Sequence, residues 1–192
     1  STNEISLKNT HPIAKHGWQL IHNGVVNNTG EKYDMLTTND SEHVLHFLNR
    51  GGVDDVAKNL TGYYAVAAIS PENRLHVFKD ATARLFSGYS KKLDTFIFGT
   101  TLGILEELCD DLKLGDIIFE PVLDNIALVF EGNNLISHTT FKSRGYGASE
   151  AQYAGASLGR TLPSVSNTGA YSYLDSARSE LQAITSDQKT LD

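Results

Sequence analysis

The stretch Trp18-Gln19-Leu20-Ile21-His22-Asn23-Gly24 decides how the chain is read. Trp18 to Ile21 reads as a short strand that ends in His22-Asn23-Gly24. Asn and Gly both tolerate positive φ, so the pair marks a turn. Val25-Val26 follows, then the polar run Asn27-Asn28-Thr29-Gly30.

Working outward, residues 39–50 read as a helix. Asn39 or Asp40 supplies its cap, and Glu42 stands three residues after Asn39, as a capping box requires. Val44, Leu45, Phe47 and Leu48 form one apolar stripe. Gly51-Gly52 ends this helix, and a second short one is expected over 53–60. Gly62 to Ser70 reads as a strand of small apolar residues, suited to burial on both faces. Pro71-Glu72-Asn73 turns the chain into a partner strand, Leu75 to Phe78. Residues 84–89 and 95–100 read as two more strands. Residues 102–112 read as an amphipathic helix with Leu102, Leu105, Leu108, Cys109 and Leu112 on one face. Further strands are expected at 117–119, 126–130 and 135–141, the last two joined by a turn at 131–134. Strands in hairpins with a few helices make an α+β fold rather than an alternating one.

The 192 residues suffice for one domain with a tail. After Phe141 the composition changes: from Ser143 to Asp192 there are nine Ser, seven Ala and five Gly. Such a segment buries too little to offset its ordering entropy. The division expected is therefore 1–142 as the folded domain and 143–192 as a flexible or partner-bound tail, with possible subunit neighbours along it. Sixteen Lys and Arg against 23 Asp and Glu give a net charge of −7. That balance argues against nucleic acid and against an anionic membrane surface as partners. No run approaches the length of a membrane span. The single cysteine, Cys109, makes no internal disulfide, which fits a cytoplasmic setting. It lies on the apolar face of its helix and reads as a core residue.

The ordered set His11-Pro12, His22-Asn23-Gly24, Asp40-Ser41-Glu42, Gly62-Tyr63-Tyr64-Ala65, Lys79-Asp80 and Phe98-Gly99-Thr100 resembles the glutaminase domain of class II glutamine amidotransferases, in the N-terminal-nucleophile hydrolase superfamily. The resemblance covers about residues 1–141. It implies a sandwich of two mainly antiparallel sheets flanked by helices, incomplete on its N-terminal side. It also implies hydrolysis of the glutamine side-chain amide to glutamate and ammonia by an N-terminal cysteine whose own α-amine is the base. The oxyanion would be held by the Asn23 side chain and the Gly24 N–H, donors commonly worth ~3 kcal/mol each. Asp40 would bind the α-amino group of glutamine, with His22 also placed at the substrate. No cofactor and no metal are implied.

The sequence departs from that pattern at its start. Only 22 residues precede Asn23, so the resemblance implies that the nucleophile and a carboxylate-binding Arg come from an upstream segment or a second chain. Ser1, with a free α-amine, is chemically suited to attack, but it falls where the family has a connecting segment; a processed or trimmed start is the plainer reading. Cys109 has no α-amine beside it. The alternative reading is a non-catalytic structural or binding subunit that keeps the fold. His11, His16 and His22 match no standard metal-ligand spacing and read as structural hydrogen-bonding groups. His43 and His46 are helix neighbours, Lys79-Asp80 a polar pair at a strand end, and Gly145-Tyr146-Gly147 too isolated for a phosphate loop.

Overall fold

The computed structural model describes residues 6–115 and 117–144. The chain divides into two units, Ser1–Gly147 and Ala148–Asp192. All described residues belong to the first. The expected tail, apart from Ser143 and Arg144, lies outside the described residues, as do Ser1 and Gly145-Tyr146-Gly147.

After a single 3-10 turn at Leu7–Asn9 come β1 (Ile13–Lys15), β2 (Trp18–Asn28), α1 (Ser41–Asn59), β3 (Leu60–Ile69), β4 (Arg74–Lys79), β5 (Phe86–Ser90), β6 (Thr95–Gly99), α2 (Leu102–Asp111), β7 (Phe119–Pro121), β8 (Ile126–Glu131) and β9 (Asn134–Thr140). Six strands form one antiparallel sheet in the order β1-β2-β3-β4-β8-β9, and three form a second, β6-β5-β7. The α+β expectation and the two antiparallel sheets with helices are thus present.

Strand alternation builds two cores on the large sheet. Leu20, Val26, Tyr64, Val66, Ala68 and Phe78 face α1 and pack on Val44, Leu45, Phe47, Leu48 and Val56. Ala65, Val77, Leu128 and Phe130 face the other way and pack with Leu85, Phe96, Phe98 and Val122 of the smaller sheet and its connections. β3 is apolar on both faces because it lies between these two layers.

Three expectations are corrected. The strand at Trp18 does not stop at Asn23-Gly24; β2 runs through them to Asn28. Gly24 does take positive φ, +147°, but in extended backbone within the sheet, where a Cβ would stand 2.1 Å from the Tyr63 carbonyl oxygen. The Asn39–Glu42 capping box does not form. Asn39 accepts from the Ser41 N–H at 2.9 Å, while the Glu42 carboxylate turns to the preceding loop and to Lys15. On α2 only Leu105 and Cys109 of the expected stripe are buried, and Leu108 and Leu112 are exposed, because the helix meets the rest of the fold over a narrow contact with β6. The expected pair of helices is present: Gly51 and Gly52 leave helical geometry, so Ser41–Asn59 consists of two helical segments that meet at a kink there.

Candidate functional site

β2 pairs with β1 only over Trp18–Leu20, so from Ile21 onward its outer edge has no strand beside it among the described residues. The cross-strand contacts fix which groups point to that edge. The α-carbons of Gly24 and Gly62 face carbonyls of the opposite strand, those of Tyr63 and Val25. A Cβ on either glycine would stand 2.1 Å from the facing oxygen. These are the non-hydrogen-bonded positions of the ladder, so the N–H groups of Gly24 and Val26 point outward. The Val26 N–H donates to Asp40 Oδ2 at 2.9 Å. Asp40 sits at the N-cap position of α1 yet makes no side-chain hydrogen bond to its own helix. Its carboxylate is turned to the β2 edge instead.

Asn23 belongs to the opposite strand face. Its amide donates to Thr100 Oγ1 at 2.8 Å, just past the end of β6, and it remains exposed. Asn23 and Asp40 therefore do not touch. They approach β2 from different directions, one on each side of Gly24, and the Gly24 and Val26 nitrogens are about 7 Å apart along the strand.

Beneath the edge, Ser41 Oγ lies 2.9 Å from His11 Nε2 and 3.0 Å from His22 Nδ1. Burial pulls the His22 pKa down to about 4; the Asp40 charge opposes this, His11 adds to it, and the Tyr63 carbonyl weakly opposes it. His22 is thus neutral at pH 7. Burial also lowers His11, against the pull of Asp40. His22 therefore links β2 to the start of α1 from within the fold. Ser41 stands in the Asp40-Ser41-Glu42 motif without an assigned role, and only the folded contact sets it between two rings; Thr100 likewise gains its contact only through the fold.

Glu42, next in sequence, fastens the loop that leads from β2 to α1. Its carboxylate accepts from the Leu36 and Thr37 N–H groups, from Thr37 Oγ1 and from Lys15 Nζ at 2.6 Å. Burial pushes its carboxyl up, but Lys15 and these donors outweigh it and hold the pKa low. Lys15 also donates to the Asp34 carbonyl at 2.8 Å. Tyr33 of the same loop stacks on His46, with ring centroids 3.6 Å apart, and bonds His43 through its hydroxyl. His43 and His46 thus serve as loop anchors.

The remaining candidates lie elsewhere. His16 is exposed in the β1–β2 turn at φ +54°. Lys79 is paired with Asp124, and the buried Asp80 accepts from the Tyr64 and Ala83 N–H groups, pinning the strand ends. Cys109 is buried. A cleft of about 390 Å³ lined by Asp54, Ala57, Lys58, Lys142, Ser143 and Arg144 opens at the far end of α1 and takes in none of the candidate residues. Among the described residues no group of three His, Cys, Asp or Glu is placed to hold a metal, and no helix is long and apolar enough to cross a membrane.

A family model described as a glutamine amidotransferase domain matches residues 7–107, from the first turn into α2. The match takes in His11, the β2 edge, Asp40-Ser41-Glu42 and Thr100, and covers more than half of the chain. No match to the chain is found among curated proteins.

Proposed function

The chain belongs to the glutamine amidotransferase domain family, and from that membership we propose that the β2 edge is where the side-chain amide of glutamine is hydrolysed to glutamate and ammonia. The observation that carries this reading is the outward Gly24 N–H, with the Asn23 amide on one side of it and the Asp40 carboxylate on the other. An extended glutamine separates its amide oxygen from its α-nitrogen by about 6 Å, from standard bond lengths. That span suits a ligand whose carbonyl oxygen rests on Gly24 N–H while its ammonium reaches the free oxygen of Asp40 near Val26.

In this reading Asn23 and Gly24 stabilise the tetrahedral oxyanion. Donors already fixed by the protein do so without reorganising at the moment of reaction. Thr100 holds the Asn23 amide in place through one hydrogen and leaves the second free. Asp40 neutralises the α-ammonium, and His22 supports the site from beneath. The nucleophile is a thiol or hydroxyl with its own α-amine as base, brought by an upstream segment or a second chain in the manner of N-terminal-nucleophile hydrolases.

The bare apolar face beside Asn23 supports such a covering piece. Ile21, Val25 and Ile69 are 53, 40 and 42% exposed on the side of the large sheet that the three-stranded sheet covers only in part. β6 also presents an outer edge among the described strands, where an added strand would pair. We place the reaction in the cytoplasm, where a lone thiol such as Cys109 persists reduced. Residues 143–192 are the segment we assign to contacts with neighbours. The second reading, a subunit that keeps the fold without the chemistry, leaves the outward aim of Gly24 N–H and the turn of Asp40 away from its own helix without a purpose.

The test is glutaminase activity of the native protein with any companion peptide retained. Asn23→Ala is expected to lower kcat by about 100-fold with folding unchanged, through loss of one oxyanion donor. An unchanged rate removes Asn23 from the chemistry, and no turnover by the intact protein favours the non-catalytic subunit.

A further inference from the structure

Ser41 is 1% exposed and its hydroxyl touches two imidazoles, His11 Nε2 and His22 Nδ1. A hydroxyl has one proton, so with neutral rings it donates to one nitrogen and accepts from the other. The surroundings of the far side of His22 decide the direction. His22 Nε2 is buried without a hydrogen-bond partner, and the Tyr63 carbonyl oxygen is its neighbour, both atoms lying within 3 Å of the empty Cβ position of Gly24. If Ser41 donated to His11, the His22 proton would sit on Nδ1, and bare Nε2 would face a carbonyl oxygen, acceptor against acceptor. If Ser41 donates to His22 Nδ1, the proton sits on Nε2 and puts a donor, not a second acceptor, on the side of that carbonyl. His11 then donates its Nε2–H to Ser41. Only the second arrangement sets a donor against an acceptor at every contact.

The same carbonyl meets Gly24. The empty Cβ position of Gly24 lies 2.1 Å from Tyr63 O and 2.9 Å from His22 Nε2. Ring, carbonyl and the Gly24 α-carbon thus converge on one point below the β2 edge. Ser41 also follows Asp40, which holds the Val26 N–H. The start of α1 therefore grips β2 twice, through Asp40 at Val26 and through Ser41 and His22 at Gly24.

We propose that Ser41 is a positioning residue for the amide site: by donating to His22 Nδ1 and accepting from His11 Nε2, it fixes His22 as the Nε2–H tautomer, and His22 keeps the Tyr63 carbonyl against Gly24 so that the Gly24 N–H holds its outward aim. This rests on the reading of Gly24 as an oxyanion donor. The charged or titratable groups that act on His22 are Asp40 and His11. Neither competes for the Nδ1 contact, which Ser41 occupies.

The experiment uses the full chain, labelled with 15N in histidine and in glycine. Two-bond proton–nitrogen spectra at pH 7 are expected to show His22 protonated on Nε2 alone. Ser41→Ala removes the donor to Nδ1, so the His22 pattern should move toward a mixture of tautomers, and the Gly24 amide resonance should shift with it. Ser41→Thr keeps the hydroxyl and should restore both signals. A wild-type His22 protonated on Nδ1 overturns the proposal without any variant, so an unfolded Ser41→Ala protein does not block the decision. An Ala variant whose His22 and Gly24 signals match the wild type overturns it as well. Neither readout involves glutamine, so an inactive wild type would overturn the glutamine reading while these spectra still decide what Ser41 does.

Discussion

The two faces of the six-stranded sheet are built from the same strands and are covered very differently. On the α1 face, Leu20, Tyr64, Val66 and Phe78 are sealed by Val44, Leu45, Phe47 and Val56. On the other face the three-stranded sheet seals Val77, Leu128 and Phe130, but leaves Ile21, Val25 and Ile69 open. Leu20 and Ile21 are sequence neighbours of similar size, one fully buried and the other 53% exposed. The difference separates two uses of apolar surface. The α1 face stabilises the fold, whereas the open end of the other face, beside Asn23, contributes little to it and is the surface we propose a covering segment occupies.

The largest effect is expected where the two faces meet, in the backbone of β2. Gly24→Ala drives a Cβ to 2.1 Å from the Tyr63 oxygen at a φ of +147°. Strain and lost pairing together should cost about 4 kcal/mol, measured by denaturant unfolding. Gly30→Ala, also at positive φ but with nothing within 4 Å, should cost far less. Equal losses at the two glycines would remove the steric account of Gly24.

Next in size is Leu20→Ala on the sealed face, expected to cost about 3 kcal/mol. Acidification tests the same face through His22. Its pKa is about 4 in the fold against 6.5 in the unfolded chain. The unfolded state therefore takes up a proton first as pH falls. The stability from His22 is fully present above about pH 6.5 and is lost down to about pH 4, with a total of about 3 kcal/mol. His11, His43 and His76 are lowered by burial too and act in the same direction. Unfolding curves between pH 7 and 4 check this, and a His22→Gln variant should flatten part of the slope. The smallest effect is on the open face: Ile21→Ala should change stability by less than about 1 kcal/mol, while weakening association with any covering segment. A loss at Ile21 as large as that at Leu20 would erase the contrast.

Much of this contrast was legible in the residues. The doubly apolar β3, the α1 stripe and the β3–β4 and β8–β9 hairpins follow from local periodicity and turn chemistry. Asn23-Gly24 shows where local reading stops. The signal for positive φ was sound, and Gly24 has it, but its use is set by the Tyr63 carbonyl on another strand. Gly62, opposite Val26 on the neighbouring strand, repeats the feature at φ +126° against the Val25 carbonyl, a relation visible only once the register is known. Asp40 and Glu42 were legible as polar residues at a helix start. Which groups they serve depended on where β1, β2 and the intervening loop arrive. On α2 the period gave the helix, but not how little of its apolar face the fold would cover.

The central claim is that Asn23, Gly24 and Asp40 cradle one glutamine along the β2 edge. Titration of the 15N-labelled full chain with glutamine, followed by amide spectra, tests it most directly. The Gly24 and Val26 N–H resonances and the Asn23 side-chain amide should shift together along one saturation curve, and Asp40→Asn should weaken that curve by tenfold or more. Shifts confined to other residues, or three signals that move with unrelated affinities, would contradict it.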